Sequence, residues 1–306
     1  MSRTTAALLA AVLSGALVAV QARVNAGLAK GLDDPLLAAV LSFVIGLGFV
    51  VAVVLARPRA RAAWAAVKDV PWWTRLGGLG GASLVAVGAF AAPQIGVALL
   101  TVGLVAGQTT GGLAVDRAGI GPGGHHRLTA PRVGGAALCL GAVLISVLGK
   151  GQGDGSPLLL GLVVAAGFLI SLQQALNGRV RRVTGDAGVA TLVNFLIGTT
   201  ALVAAYLLVS AVNGWQVDHW PGQWWLYTGG PLGASFVAVA SVIVRTLGVL
   251  RLGLGVIAGQ LVGAVLLDLF VPAADHGVAT ATLVGVALTF VAVAVSGLPP
   301  RERVPA

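Results

Sequence analysis

One phrase of the sequence is written twice, GQTTGGLAVD at 107–116 and GQLVGAVLLD at 259–268. Each copy sets a glutamine, Gln108 or Gln260, eight residues ahead of an aspartate, Asp116 or Asp268, in otherwise apolar text. A primary amide both donates and accepts hydrogen bonds, so two of them facing one cavity can hold a polar solute. The same amide can instead tie neighbouring helices together, at about 0.6 kcal/mol per bond. The carboxylates also admit two uses. Asp116 can pair with Arg117 or another interfacial arginine, and Asp116 and Asp268 can exchange protons during a transport cycle. Neither is explained as a cap of its own helix, because a carboxylate at a helix C-terminus opposes the macrodipole.

A second polar set recurs at the same spacing. Gln21 and Asn25 lie one turn apart on one helix face, and Gln173 and Asn177 repeat them. The glutamines suit a cavity wall. The asparagines suit gates at a cavity mouth, or, more plainly, helix C-caps. Ser42 and Asn194 are equivalent positions, and an asparagine in mid-span is costly unless it is used. Phe43 and Phe195 adjoin them and either line a cavity or pack.

Other chemistry is poorly supported. GIGPGG at 119–124 matches a dinucleotide-loop pattern but follows no strand. His125 and His126 sit beside Arg127 without the partners a metal site needs. The sequence contains no metalloprotease or serine-hydrolase motif, and its single cysteine, Cys139, makes no intramolecular disulfide. The expectation is a protein that is not an enzyme, with no cofactor and no metal.

The elements that position these residues follow from composition. Of 306 residues, 57% are hydrophobic and 9% charged, against about 25% charged in soluble domains. Runs of about 20 apolar residues, enough to cross the hydrocarbon, occur ten times: 4–24, 35–56, 76–92, 96–115, 133–149, 157–178, 187–212, 228–244, 248–267 and 278–297. The apolar runs are continuous rather than alternating, which excludes a barrel. With the N-terminus in the cytoplasm, 16 of the 19 basic residues fall on that side, so the positive-inside rule places both termini there. The net charge of +9 then faces anionic lipid headgroups and needs no nucleic acid.

A shift of 152 residues superposes the halves. Between Trp72 and Asp116, 19 of 45 residues equal their partners in Trp224–Asp268. Five helices per repeat is an odd number, so the second repeat enters the membrane inverted. The charges agree: 57–75 has five basic residues and its counterpart 209–227 has none. Glycines spaced by four, as at Gly103, Gly107 and Gly111 and again at Gly255, Gly259 and Gly263, read as helix-packing ridges. The tryptophans at 72–73 and 224–225 read as interface anchors.

The endings VQARVN and LQQALN, the motif SFVIG, the stretch WWTRLGGLGGAS and the phrase GQTTGGLAVD together resemble the YdcZ-type family of the drug/metabolite transporter (DMT) superfamily. Members are often single five-helix proteins, and this chain is similar to two of them fused. The resemblance implies an inner-membrane exporter without naming a substrate. The expectation is an all-α polytopic membrane protein of ten transmembrane helices, a DMT/EamA-like bundle. Its first five-helix repeat is 1–150, and its second, inverted, is 151–306. It would move a small metabolite or drug-like solute by alternating access around a midplane site. The alternatives are a lipid or amphiphile flippase on the same fold and a non-transporting scaffold. The expected partners are the solute and membrane lipids, and the expected state is a monomer, since the fused pair already supplies both halves.

Overall fold

The computed structural model describes residues 2–148, 157–214 and 219–270, with short helical pieces at 287–288, 291–292 and 294–295. Side chains at 89–90, 92–102, 142–148, 213, 264 and 268–269 lie outside that description. Among the described residues there is no strand. The α-helices are α1 (Arg3–Leu32), α2 (Pro35–Ala56), α3 (Pro58–Trp64), α4 (Gly78–Ala118), α5 (Ala130–Leu148), α6 (Pro157–Thr184), α7 (Ala187–Asn213) and α8 (Gly229–Phe270). Helices α1, α2, α6, α7 and α8 are each long and apolar enough to cross a bilayer.

Two elements are double-length. At 41 and 42 residues, α4 and α8 each hold two spans that fold back on one another: Gly80 and Gly111 of α4 meet Gln173 and Ser171 of α6, and Gly233 and Gly263 of α8 meet Gln21 and Ala19 of α1. Helix α8 breaks at Gly248, whose φ of 75° and ψ of 172° are open to glycine, and so separates into two spans. Helix α4 covers the third and fourth expected spans and doubles back, since both of its ends lie against residues 164–173 of α6. The eight helices thus hold nine of the ten spans, and the span expected at 278–297 falls almost wholly outside the described residues.

Local capping repeats with the sequence. Asp33, in the left-handed region at φ 52°, ends α1, and the Asp34 carboxylate then accepts the N–H groups of Leu36 and Leu37 at the start of α2, both at 2.9 Å. Its counterpart Asp186 follows left-handed Gly185 and accepts from Gly188 and Val189 at 2.7 and 3.2 Å, opening α7. Each turn satisfies orphan donors that a membrane edge leaves poorly hydrated.

The halves interlock rather than sit side by side. A Cβ built at Gly15 of α1 would lie 2.1 Å from the Val256 carbonyl oxygen, and one at Gly259 of α8 would lie 1.8 Å from that of Val12. The mirrored pair is Gly167 of α6 against the Leu104 carbonyl at 2.2 Å and Gly107 of α4 against that of Val164 at 2.0 Å. The first helix of each half therefore packs on the fourth span of the other. Equivalent helices α2 and α7 cross antiparallel: Gly198 abuts Phe43 and Gly46 abuts Phe195. The protein is an all-α polytopic membrane protein with two repeated halves, and this crossing brings the polar residues together.

Candidate functional site

Where α2 crosses α7, the rings of Phe43 and Phe195 stack with centroids 5.1 Å apart and planes tilted by 31°. Phe195 is buried, and the ring pair marks the axis that relates the halves. Amides flank it. Gln173 of α6 lies over Gly80 and Gly81 of α4, where an added Cβ at Gly81 would meet both the Gln173 Oε1 and the Phe43 ring at 3.3 Å. One turn on, Asn177 faces Gly77, and its Oδ1 accepts from the Asn194 Nδ2 at 3.1 Å. On the other side of the rings, Gln21 of α1 lies against Gly233 and Asn25 against Gly229 and Ser42. Each amide thus needs a glycine opposite it to fit between the helices.

These groups are deeply placed. Gln173, Asn177 and Asn194 are 6%, 4% and 2% exposed. Among the described residues, the amide oxygens of Asn25, Gln173 and neighbouring Gln174 are buried without a hydrogen-bond partner. A buried unpaired amide costs on the order of 1–3 kcal/mol.

The asparagines are not C-caps. Helices α1 and α6 continue to Leu32 and Thr184, seven residues beyond Asn25 and Asn177. The apolar run ends before the helix does, because the last two turns of α6 carry Arg179, Arg181 and Arg182 while remaining helical. Gln174 lay outside the sequence reading because its repeat counterpart is Ala22, so duplication gave no signal for it. The remaining clue was a second glutamine in an apolar span.

Gln108 and Gln260 sit apart from the amide cluster, half-buried on α4 and α8 beside the glycine ridges. The Gln108 carbonyl accepts from the Ser171 hydroxyl at 2.7 Å, which ties α4 to α6.

Asp116 closes one end of the bundle. It is 1% exposed and pairs with buried Arg132, not with Arg117. Its carboxylate also accepts the N–H groups of Val249 and Leu250, at 2.7 and 3.1 Å, directly after the Gly248 break. The charge that is misplaced at the end of its own helix therefore caps the N-terminus of a helical segment in the other half. Around it, the Asp116 carbonyl accepts from the His126 N–H at 3.0 Å, and Arg179 of α6 donates to the carbonyls of Gly119 and Ile120 while lying over Trp73 at 5.3 Å. Burial, with the charges of Arg132 and Arg251, holds the His126 imidazole below its ordinary range, while Asp116 acts in the opposite sense. The counterpart Asp268 lies in the last turn of α8, with its side chain outside the described residues. Among the described residues no group of three potential metal ligands occurs.

The profile of a family described as "Putative inner membrane exporter, YdcZ" matches twice, at residues 6–145 and 158–295, once per repeat. The inner membrane protein YdcZ of Escherichia coli (strain K12) is 27% identical over 128 residues, which is 42% of this chain and 84% of that protein. A solved structure described only as "Crystal structure of protein" superposes with a TM-score of 0.67 over 97% of each chain at 24% identity, a likeness of fold alone. With the profile spanning both halves, the chain belongs to the YdcZ-type family of the DMT superfamily and is a multi-pass inner membrane protein of that transporter kind.

Proposed function

We propose that the chain is a secondary carrier, not an enzyme, that exports a small polar solute by rocking its two halves about the Phe43–Phe195 contact. The observation that carries this reading is the set of buried amide oxygens without donors, Asn25 on one side of the ring pair and Gln173 on the other. A solute bearing N–H or O–H groups supplies the missing donors, and no carboxylate at mid-span competes for it. The stacked rings then separate two amide-lined vestibules, and rocking opens each in turn. Gln21 and Gln173 bind within the vestibules, Asn25, Asn177 and Asn194 form their far ends, and Gln108 and Gln260 present amides from the adjoining helices.

In this reading both termini lie in the cytoplasm and one chain is the working unit. Asp116 acts as a gate on the cytoplasmic side, because its cap on Val249 and Leu250 joins the halves at that end. Asp268 is its counterpart at the opposite end.

The test is a thermal-shift screen of purified protein against a metabolite and drug library, followed by proteoliposome transport of each hit. Gln173→Ala and Gln21→Ala are expected to abolish both the shift and the transport while leaving the ligand-free unfolding temperature near wild type. Gln108→Ala/Gln260→Ala is run alongside. A hit whose stabilisation survives both sets of changes would overturn the site.

A further inference from the structure

The two halves share a backbone plan but differ in the residues at the ends of their second helices, α2 and α7. On one side, a groove of about 340 Å³ runs between α2, α3 and α7, lined by Val51, Val54, Leu55, Leu192, Arg61 and Trp64. Its volume lies within the roughly 300–1,000 Å³ of small-ligand sites, and apart from Arg61 and Trp64 its lining is aliphatic.

The groove exists because α3 turns back at Pro58. Its Ala60 is fully buried against the cluster formed by Val54, Val189 and Leu192, which lays the short helix across the ends of α2 and α7. That placement puts Trp64, 41% exposed, and exposed Arg61 at the groove's mouth, level with the ends of membrane-spanning helices. Arg57 is paired with Asp186 at 3.1 Å, whereas the Arg61 guanidinium has no ionic partner among the described residues. The segment 57–75 carries five basic residues against one acid, Asp69.

At the repeat-related position on the opposite side, the equivalents of Val54, Arg61 and Trp64 are Tyr206, Asn213 and Gln216. Neither the cation nor the indole of the first groove is repeated in the other half.

From these features we infer that the groove between α2, α3 and α7 is a binding site for an anionic phospholipid. One acyl chain lies along Val51, Val54, Leu55 and Leu192, and the phosphate is held by the Arg61 guanidinium beside Trp64. A guanidinium suits phosphate because its planar fork donates two parallel hydrogen bonds, and an indole is stable at the boundary between chain and headgroup. Aliphatic length and a single cation together select a lipid over a free phosphate. The inference stands on this groove alone and does not depend on what the protein transports.

The experiment is native mass spectrometry of detergent-purified protein titrated with phosphatidylglycerol, phosphatidylcholine or soluble glycerol 3-phosphate, each alone. Wild type is expected to hold one phosphatidylglycerol about tenfold more tightly than phosphatidylcholine. Arg61→Gln, at an exposed position that leaves the fold intact, should erase that preference. Arg59→Gln, on the same short helix but outside the groove, should change it by no more than about twofold. Leu55→Trp, which fills the groove mouth from a position already 60% exposed, should weaken both lipids. Equal binding of the two lipids, competition by glycerol 3-phosphate, or an equal loss in Arg59→Gln and Arg61→Gln would each overturn the site.

Discussion

Asp116 shows how a residue's meaning depends on a partner far away in the chain. On its own helix the carboxylate opposes the dipole, but 133 residues on it finds the donors of Val249. Its removal has two costs, because Arg132 stays buried without a counter-charge and two N–H groups lose their acceptor. Asp116→Ala is therefore expected to destabilise the protein by roughly 3–5 kcal/mol. Asp116→Asn, which keeps an acceptor, should lose less, and adding Arg132→Met should recover part of the loss. Thermal unfolding in detergent measures all three, and a wild-type midpoint for Asp116→Ala would refute the cap. Neighbouring His126 adds a pH dependence. Its folded-state value lies below the unfolded one of 6.5, so the unfolded chain takes up the proton first, and stability falls as pH drops below that value. His126→Gln should flatten the unfolding-midpoint profile between about pH 7 and about pH 5.

At the scale of elements, the glycine ridges make the sharpest demand. A methyl group on Gly107 or Gly259 would stand 2.0 or 1.8 Å from a backbone carbonyl oxygen of the opposing helix, which has no flexible end to move aside. Gly107→Ala and Gly259→Ala should each force their helices apart and lower the unfolding midpoint. Gly48→Ala, with nothing within 4 Å, should leave it unchanged or raise it slightly by helix propensity. Equal midpoints across the three variants would remove the ridges from the account of packing. Much of this was legible in the sequence. Period-four glycines, twin tryptophans and a gap-free repeat depend only on local pattern and internal comparison. The cap on Val249 was not legible, because nothing near Asp116 marks a broken helix in the other half. The length of α1 and α6 was also hidden, since hydropathy reports where the membrane ends and Asn25 and Asn177 lie inside helices that continue past it. The candidate site was visible as a list of amides. Which of them meet was fixed by the crossing of α2 and α7, and that crossing brings Gln173 to the aromatic pair while leaving Gln108 beside the ridge.

For the whole molecule, the exchange of first helices between halves decides what a half can do alone. Helix α1 buries Ala7 and Ala11 against Leu252 and Val256 of α8, and α6 buries Val163 near Ala91 of α4. Residues 1–150 expressed alone would expose both the α1 face and the α4 ridge that α6 covers. Without close packing there is little to hold such faces together in lipid, which is as apolar as they are. Each half alone should therefore be degraded or run as a polydisperse species in detergent. Co-expression of 1–150 with 151–306 as separate chains should restore one species with the mass of a single full-length protein. The two pieces together keep the described contacts between α1 and α8 and between α4 and α6, so the cut should cost mainly the effective concentration that the linker supplies. Recovery of a stable, monodisperse 1–150 by itself would mean that the repeats fold as independent bundles, and the two-fold crossing at Phe43 and Phe195 would then be a docking contact instead of the core of one fold.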